Sequence, residues 1–155
     1  MIRDNLARIN NEINEAAAAS RFGQQVTLVA VSKTHPADTI MEAYNEGIRD
    51  FGENKVQELL DKYDQLPSDI RWHLIGHLQR NKVKYIVDKV WLIHSVDSLR
   101  LAETIEQQAA SHNITANILI QVNISHEESK FGIDRQELTD LLNKISLMEH
   151  IQVMG

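Results

Sequence analysis

One lysine stands where chains rarely put one. Lys33 ends Val26-Thr27-Leu28-Val29-Ala30-Val31-Ser32, a short apolar run rich in β-branched residues, as expected of a strand buried on both faces. Thr34-His35-Pro36 then stops the run. Burying an ammonium at a strand end is costly, and the cheap escape is to lose the proton. A neutral amine attacks carbonyl carbon, so Lys33 is a candidate Schiff-base lysine. The plainer reading of this segment taken alone is a solvated lysine whose stem lies along apolar surface.

Other residues could do chemistry, each with a plainer alternative. His73 and His77 are four apart, which on a helix would present two metal ligands. Gly76 and the strand-like surroundings argue against a helix. Alternation puts His73 on one face with Ile75, as a hydrogen-bonded pocket histidine rather than a metal ligand. Ser95 between His94 and Asp97 suggests a nucleophile, base and acid. Adjacent strand residues point to opposite faces, however, so His94 and Ser95 cannot easily meet. Asp97 then reads as a helix cap and Ser95 as a residue facing a pocket. Lys82, Lys84 and Lys89, near Arg80, read as a solvated helix face.

These residues need elements to hold them. The chain has 155 residues, 43% hydrophobic and 25% charged, enough for one domain with a real core. A net charge of −6 without a basic block argues against nucleic-acid and anionic-membrane binding. No apolar run is long enough to span a bilayer, and the N-terminus lacks the apolar core of a signal peptide. Cysteine is absent, which removes disulfides, thiolate metal sites and cysteine nucleophiles, and a cytoplasmic protein is the expectation. With two prolines and six glycines, no stretch reads as a linker, so residues 1–155 are expected to be one domain.

Leu6, Ile9, Ile13 and Ala16-Ala17 predict an opening helix that stops near Gly23. Strand 26–32 follows, then a helix from Pro36 to Gly47 and a strand over 48–52. Helical spacing resumes from Val56 to Leu66. Strand 71–76, a short helix at 83–87 and strand 90–96 come next. A helix carrying Leu99 to Ala109 follows, capped by Asp97 or Ser98, and then strand 116–124. Asp134 and Glu137 resemble a capping box for a helix through Ile145, and a sixth strand begins at Ile151. Strands alternating with helices predict a parallel sheet with right-handed crossovers, either doubly wound or a (β/α) barrel. No Gly-rich loop follows the first strand, which weakens the dinucleotide-binding version. Periodicity alone leaves the open sheet and an incomplete barrel both standing.

Five motifs go further. They are Val29-Ala30-Val31-Ser32-Lys33-Thr34; Phe51-Gly52-Glu53-Asn54 with Gln57-Glu58; Trp72-His73-Leu74-Ile75-Gly76-His77-Leu78-Gln79-Arg80-Asn81-Lys82; His94-Ser95-Val96-Asp97; and Gln121-Val122-Asn123-Ile124 with Lys130-Phe131-Gly132-Ile133. In this order and spacing they resemble the YggS/PROSC family of pyridoxal 5′-phosphate (PLP) homeostasis proteins, from about residue 4 to the last residue. The resemblance implies a TIM-type barrel like the N-terminal domain of alanine racemase, with PLP held as an internal aldimine on Lys33. It implies that Asn54 lines the pocket, though Asn54 could equally cap the next helix. Val31, His73 and Ser95 complete the expected PLP-binding set, with no metal. Lys130 matches a family lysine near the site mouth; a solvated loop charge is the alternative.

Such proteins resemble carriers or buffers of PLP rather than enzymes, with PLP-dependent apoenzymes as conceivable recipients. The family pattern continues past Gly155, into a Ser-Met-Gly-Met-type loop and an Arg-Ile-Gly-type strand end that bind the phosphate in relatives. The expectation is therefore an incomplete barrel of five to six units after an N-terminal helix, lacking the phosphate cradle. Its open sheet edge would favour self-association. A fold-related amino-acid racemase, which would need an opposing base, and a non-functional fragment are the alternatives.

Overall fold

The computed structural model describes every residue of the chain except Ser129, which lies in the fifth motif region. Helix α1 (Ile2–Ala19) leads into strand β1 (Ala30–Val31), α2 (Ala37–Asn45), β2 (Asp50–Glu53), α3 (Val56–Tyr63) and β3 (Arg71–Leu74). A 3₁₀ turn (Arg80–Lys82), α4 (Val83–Ile86), β4 (Leu92–Val96), α5 (Leu99–Ser111), β5 (Ala116–Ile120), α6 (Leu138–Ile145) and β6 (Ile151–Val153) follow. The six strands form one parallel sheet in the order β1-β2-β3-β4-β5-β6. Sequential order with right-handed crossovers puts the helices on one face, as in a barrel wall, and rules out the doubly wound alternative.

The helix-covered face carries the core. Phe51 stacks obliquely on Trp72, with ring centroids 6.2 Å apart, and Leu59, Leu74, Ile86, Ile93, Ile105 and Ile118 are fully buried around them. Register across the sheet aligns Val31 with Gly52 and Gly52 with His73 on the opposite, concave face. Between β4 and β5 the pairing slips: Ile93 meets Ile118 and Val96 meets Ile120, so His94 and Ser95 together oppose Leu119 in a bulge. No helix among the described residues is long and apolar enough to cross a membrane.

Several element boundaries differ from the sequence reading. The first strand pairs only over Ala30–Val31, and Val26 and Val31 are each about half exposed rather than buried on both faces. The reason is position: β1 lies at the edge of the sheet, paired with β2 alone. Residues Asp134 and Glu137 form a turn rather than a capping box, Asp134 accepting the Gln136 amide at 2.9 Å, and α6 begins only at Leu138. Lys55, not Asn54, occupies the N-cap of α3, with no side-chain hydrogen bond. Ser98 caps α5 by accepting from the Leu101 amide at 3.2 Å, while Asp97 accepts the Gly132 amide at 3.3 Å.

Candidate functional site

The tip of β1 is a tight turn. The Ser32 amide closes the sheet by donating to the Gly52 carbonyl at 2.9 Å. The His35 amide then donates back to the Ser32 carbonyl at 3.1 Å, which places Lys33 and Thr34 at the two central turn positions. Thr34 has φ of +67°, a conformation suited to glycine and costly for a β-branched residue. Lys33 is exposed at this tip, and its ammonium has no hydrogen bond or ion pair among the described residues. Lys33 is thus exposed rather than buried, in the loop that follows β1 at the C-terminal rim, where barrel sites are built.

Beneath the turn, on the helix side, lies a charged cluster that sequence reasoning missed. Glu53 is fully buried, accepting Lys62 Nζ at 2.7 Å and Ser32 Oγ at 2.6 Å. Lys62, itself 7% exposed, also donates to the Ser32 carbonyl at 2.9 Å and to Glu58 Oε1 at 2.8 Å. Three acceptors thus surround Nζ, matching the three N–H bonds of an ammonium. Glu58 in turn accepts the Thr34 amide. Hydrogen bonds from Lys62 and from that amide hold the Glu58 carboxyl below the usual range. The signal was present in the sequence: Glu58 and Lys62 are four apart on α3, and Glu53 is an acid inside a buried strand pattern.

On the concave face runs a second polar chain. Asp50 binds Arg71 through Nε at 2.9 Å and meets His73 Nε2 at 3.0 Å, and His73 Nδ1 lies 2.9 Å from His94 Nε2. An ionised Asp50 accepts from His73 Nε2–H, which leaves His73 Nδ1 to accept from His94 Nε2–H. Burial opposes ionisation of Asp50, yet the hydrogen bonds from Arg71 and His73 outweigh it and hold its carboxyl below the usual range. Burial, reinforced by repulsion from His73, pushes the His94 imidazole below its ordinary value.

The predicted site residues separate into levels. Lys33 and Asn54 follow the ends of β1 and β2 at the rim. Asn54 is half-buried, and its carbonyl lies so close to Gly76 that a Cβ there would clash with it, which explains the glycine. Val31 and His73 lie one level down on the concave face, joined through Gly52 in register. Ser95 is sealed in the bulge at 1% exposure, and its hydroxyl has no hydrogen-bond partner among the described residues. His73 and His77 do not converge as a metal pair, for His77 stacks on Phe131 with centroids 3.8 Å apart. Lys130 pairs with Glu127 at 2.9 Å, and Lys89 with Asp88 at 3.0 Å.

Comparison with known proteins fits this geometry. The family profile of the alanine racemase N-terminal domain matches residues 5–155. A pyridoxal phosphate homeostasis protein of Aquifex aeolicus is 40% identical over 154 residues, covering 98% of this chain and 68% of its own. The protein of the same name in Schizosaccharomyces pombe is 38% identical over 149 residues, covering 95% of this chain and 61% of its own. The chain thus spans about two thirds of the length of these relatives. PipY of Synechococcus elongatus without PLP superposes with a TM-score of 0.89 at 36% identity, over 100% of this chain and 69% of PipY. PipY with PLP bound gives 0.85 at 34% identity, over 100% and 68%. An alanine racemase of Clostridium difficile, only 13% identical over 93% of this chain and 38% of its own, shares the fold at a TM-score of 0.72. The chain belongs to the alanine racemase N-terminal domain family and, within it, to the pyridoxal phosphate homeostasis proteins.

Proposed function

We propose that this protein binds pyridoxal phosphate through Lys33 and holds it without turnover, as a reservoir from which other amines and PLP-dependent apoenzymes draw. Pyridoxal phosphate supplies an aldehyde that condenses reversibly with an uncharged amine, forming a C=N bond and releasing water. The observation that carries the reading is the exposed, unpaired amine of Lys33 on a strand-end turn, in a chain that superposes on PLP-bound PipY.

The residues present suit the aldehyde and ring portion of the group. Val31, half exposed beside Lys33, offers an apolar wall to a ring, and Asn54 is the polar neighbour on the next strand end. His73 and His94 form the floor, fixed by Asp50. Ser95, on β4, carries a buried hydroxyl with no hydrogen-bond partner among the described residues. No residue is assigned to the phosphate.

The relatives named as homeostasis proteins support a reading without turnover. A racemase needs a base on each side of the substrate carbon. Lys33 has no hydrogen bond or ion pair among the described residues, whereas Lys130 is engaged by Glu127. Incubation with D- and L-alanine in the presence of PLP should give no interconversion, measured by chiral chromatography. Titration with PLP should produce a visible absorbance band that Lys33→Ala abolishes; a Lys33→Ala band equal to that of wild type would move the site elsewhere. The edges of the sheet, β1 and β6, are the surfaces through which copies of the chain would associate. Size-exclusion chromatography tests this, a clean monomer counting against it.

A further inference from the structure

We propose that the buried Glu53–Lys62–Glu58 cluster is the positioning device of the Lys33 turn, fixing where the reactive amine stands by gripping the backbone on both sides of it. This rests on Lys33 being the PLP-binding amine. The grip is specific in its attachment points. Lys62 Nζ takes the Ser32 carbonyl, which belongs to the peptide bond entering Lys33. Glu58 takes the Thr34 amide, which belongs to the peptide bond leaving it. The Ser32 side chain is anchored separately on Glu53. The two planes that set the direction of the Lys33 side chain are therefore both tied to one buried cation and its two carboxylates.

Strain at the turn gives the cluster a task. A threonine with φ of +67° does not hold that conformation unaided, and such outliers persist only where surroundings over-determine them. Releasing the Thr34 amide would let the residue relax toward negative φ and swing the amine off the rim. A solvated lysine with no function would not require this: a glycine at position 34 would make the turn without strain. The Lys62, Glu53 and Glu58 groups bond one another and the backbone rather than the Lys33 side chain. The cluster thus supplies geometry and leaves the amine free to react.

The test compares Glu58→Ala, Glu58→Gln and Lys33→Ala in the full chain. Glu58 is a quarter exposed on the first turn of α3, so its replacement should leave the chain folded. Glu58→Ala should speed hydrogen exchange of the Thr34 amide in the absence of PLP and weaken PLP binding about tenfold, as loss of a charge-assisted hydrogen bond implies. Glu58→Gln keeps a side-chain carbonyl for that amide and should restore most of both losses. A role confined to stability would lower the melting temperature of Glu58→Ala while leaving PLP affinity of the folded protein and Thr34 exchange unchanged; that result overturns the proposal. If Lys33→Ala binds PLP as wild type does, the functional reading fails instead, and Thr34 exchange in Glu58→Ala still decides whether the grip exists.

Discussion

Strand β2 carries two buried acids that serve opposite faces. Glu53 turns to the helix layer and meets an ammonium; Asp50 turns to the concave face and meets a guanidinium and an imidazole. The Glu53 cluster pairs one ammonium with two carboxylates, and it holds backbone. The Asp50 chain ends in two histidines, and burial together with His73 holds the His94 imidazole below its ordinary value. The contrast separates a cluster that grips backbone from a polar floor on the concave face.

The largest expected effect is on the Glu53 side. Lys62→Met leaves the fully buried Glu53 carboxylate without its cation and should cost about 3–5 kcal/mol in urea unfolding. Adding Glu53→Gln, which removes the stranded charge but keeps an acceptor for Ser32, should recover a good part of that loss. Asp50→Asn removes the charged acceptor of Arg71 and His73 and should cost less, about 1–3 kcal/mol, because Arg71 can turn to solvent. A larger loss for Asp50→Asn than for Lys62→Met would invert the comparison.

The pH dependence sharpens it. The His94 imidazole is held below its ordinary value of 6.5 by burial and by His73, so the unfolded chain binds a proton that the folded one resists. Stability should therefore fall as pH drops below about 6.5, and it should be regained above that value. His94→Gln should flatten this slope, seen in unfolding midpoints between pH 5 and 7. The smallest effect concerns Ser95. Its hydroxyl is buried without a partner, so Ser95→Ala should change stability by less than about 1 kcal/mol, with no loss, by the same unfolding assay.

Much of this was legible in the chain. Apolar spacing placed the helices, Gly47 and Gly23 marked ends where the backbone takes positive φ, and the end of a β-branched run located Lys33. What spacing could not convey was which strand would lie at an edge. Val26-Thr27-Leu28-Val29 has the composition of a central strand, yet β1 pairs on one side only and the run stays outside the sheet. The apolar approach to Lys33 left both a buried amine and a solvated one open, and the exposed lysine found beside this edge strand matches the second. The Lys62 cluster was overlooked because Val56, Leu59, Leu60 and Tyr63 account for the apolar face of α3, and a lysine among them looks solvated until Glu53 is placed behind it. The β4 bulge, which seals Ser95 away, leaves no mark in local alternation.

The central claim is that one amine, Lys33, is the group to which pyridoxal phosphate attaches. It is tested most directly by mixing the full chain with a stoichiometric amount of PLP, reducing with borohydride and mapping the pyridoxyl group by peptide mass spectrometry. Label is expected on Lys33 alone at low loading. Label spread over the exposed lysines, or concentrated on Lys130, would contradict it.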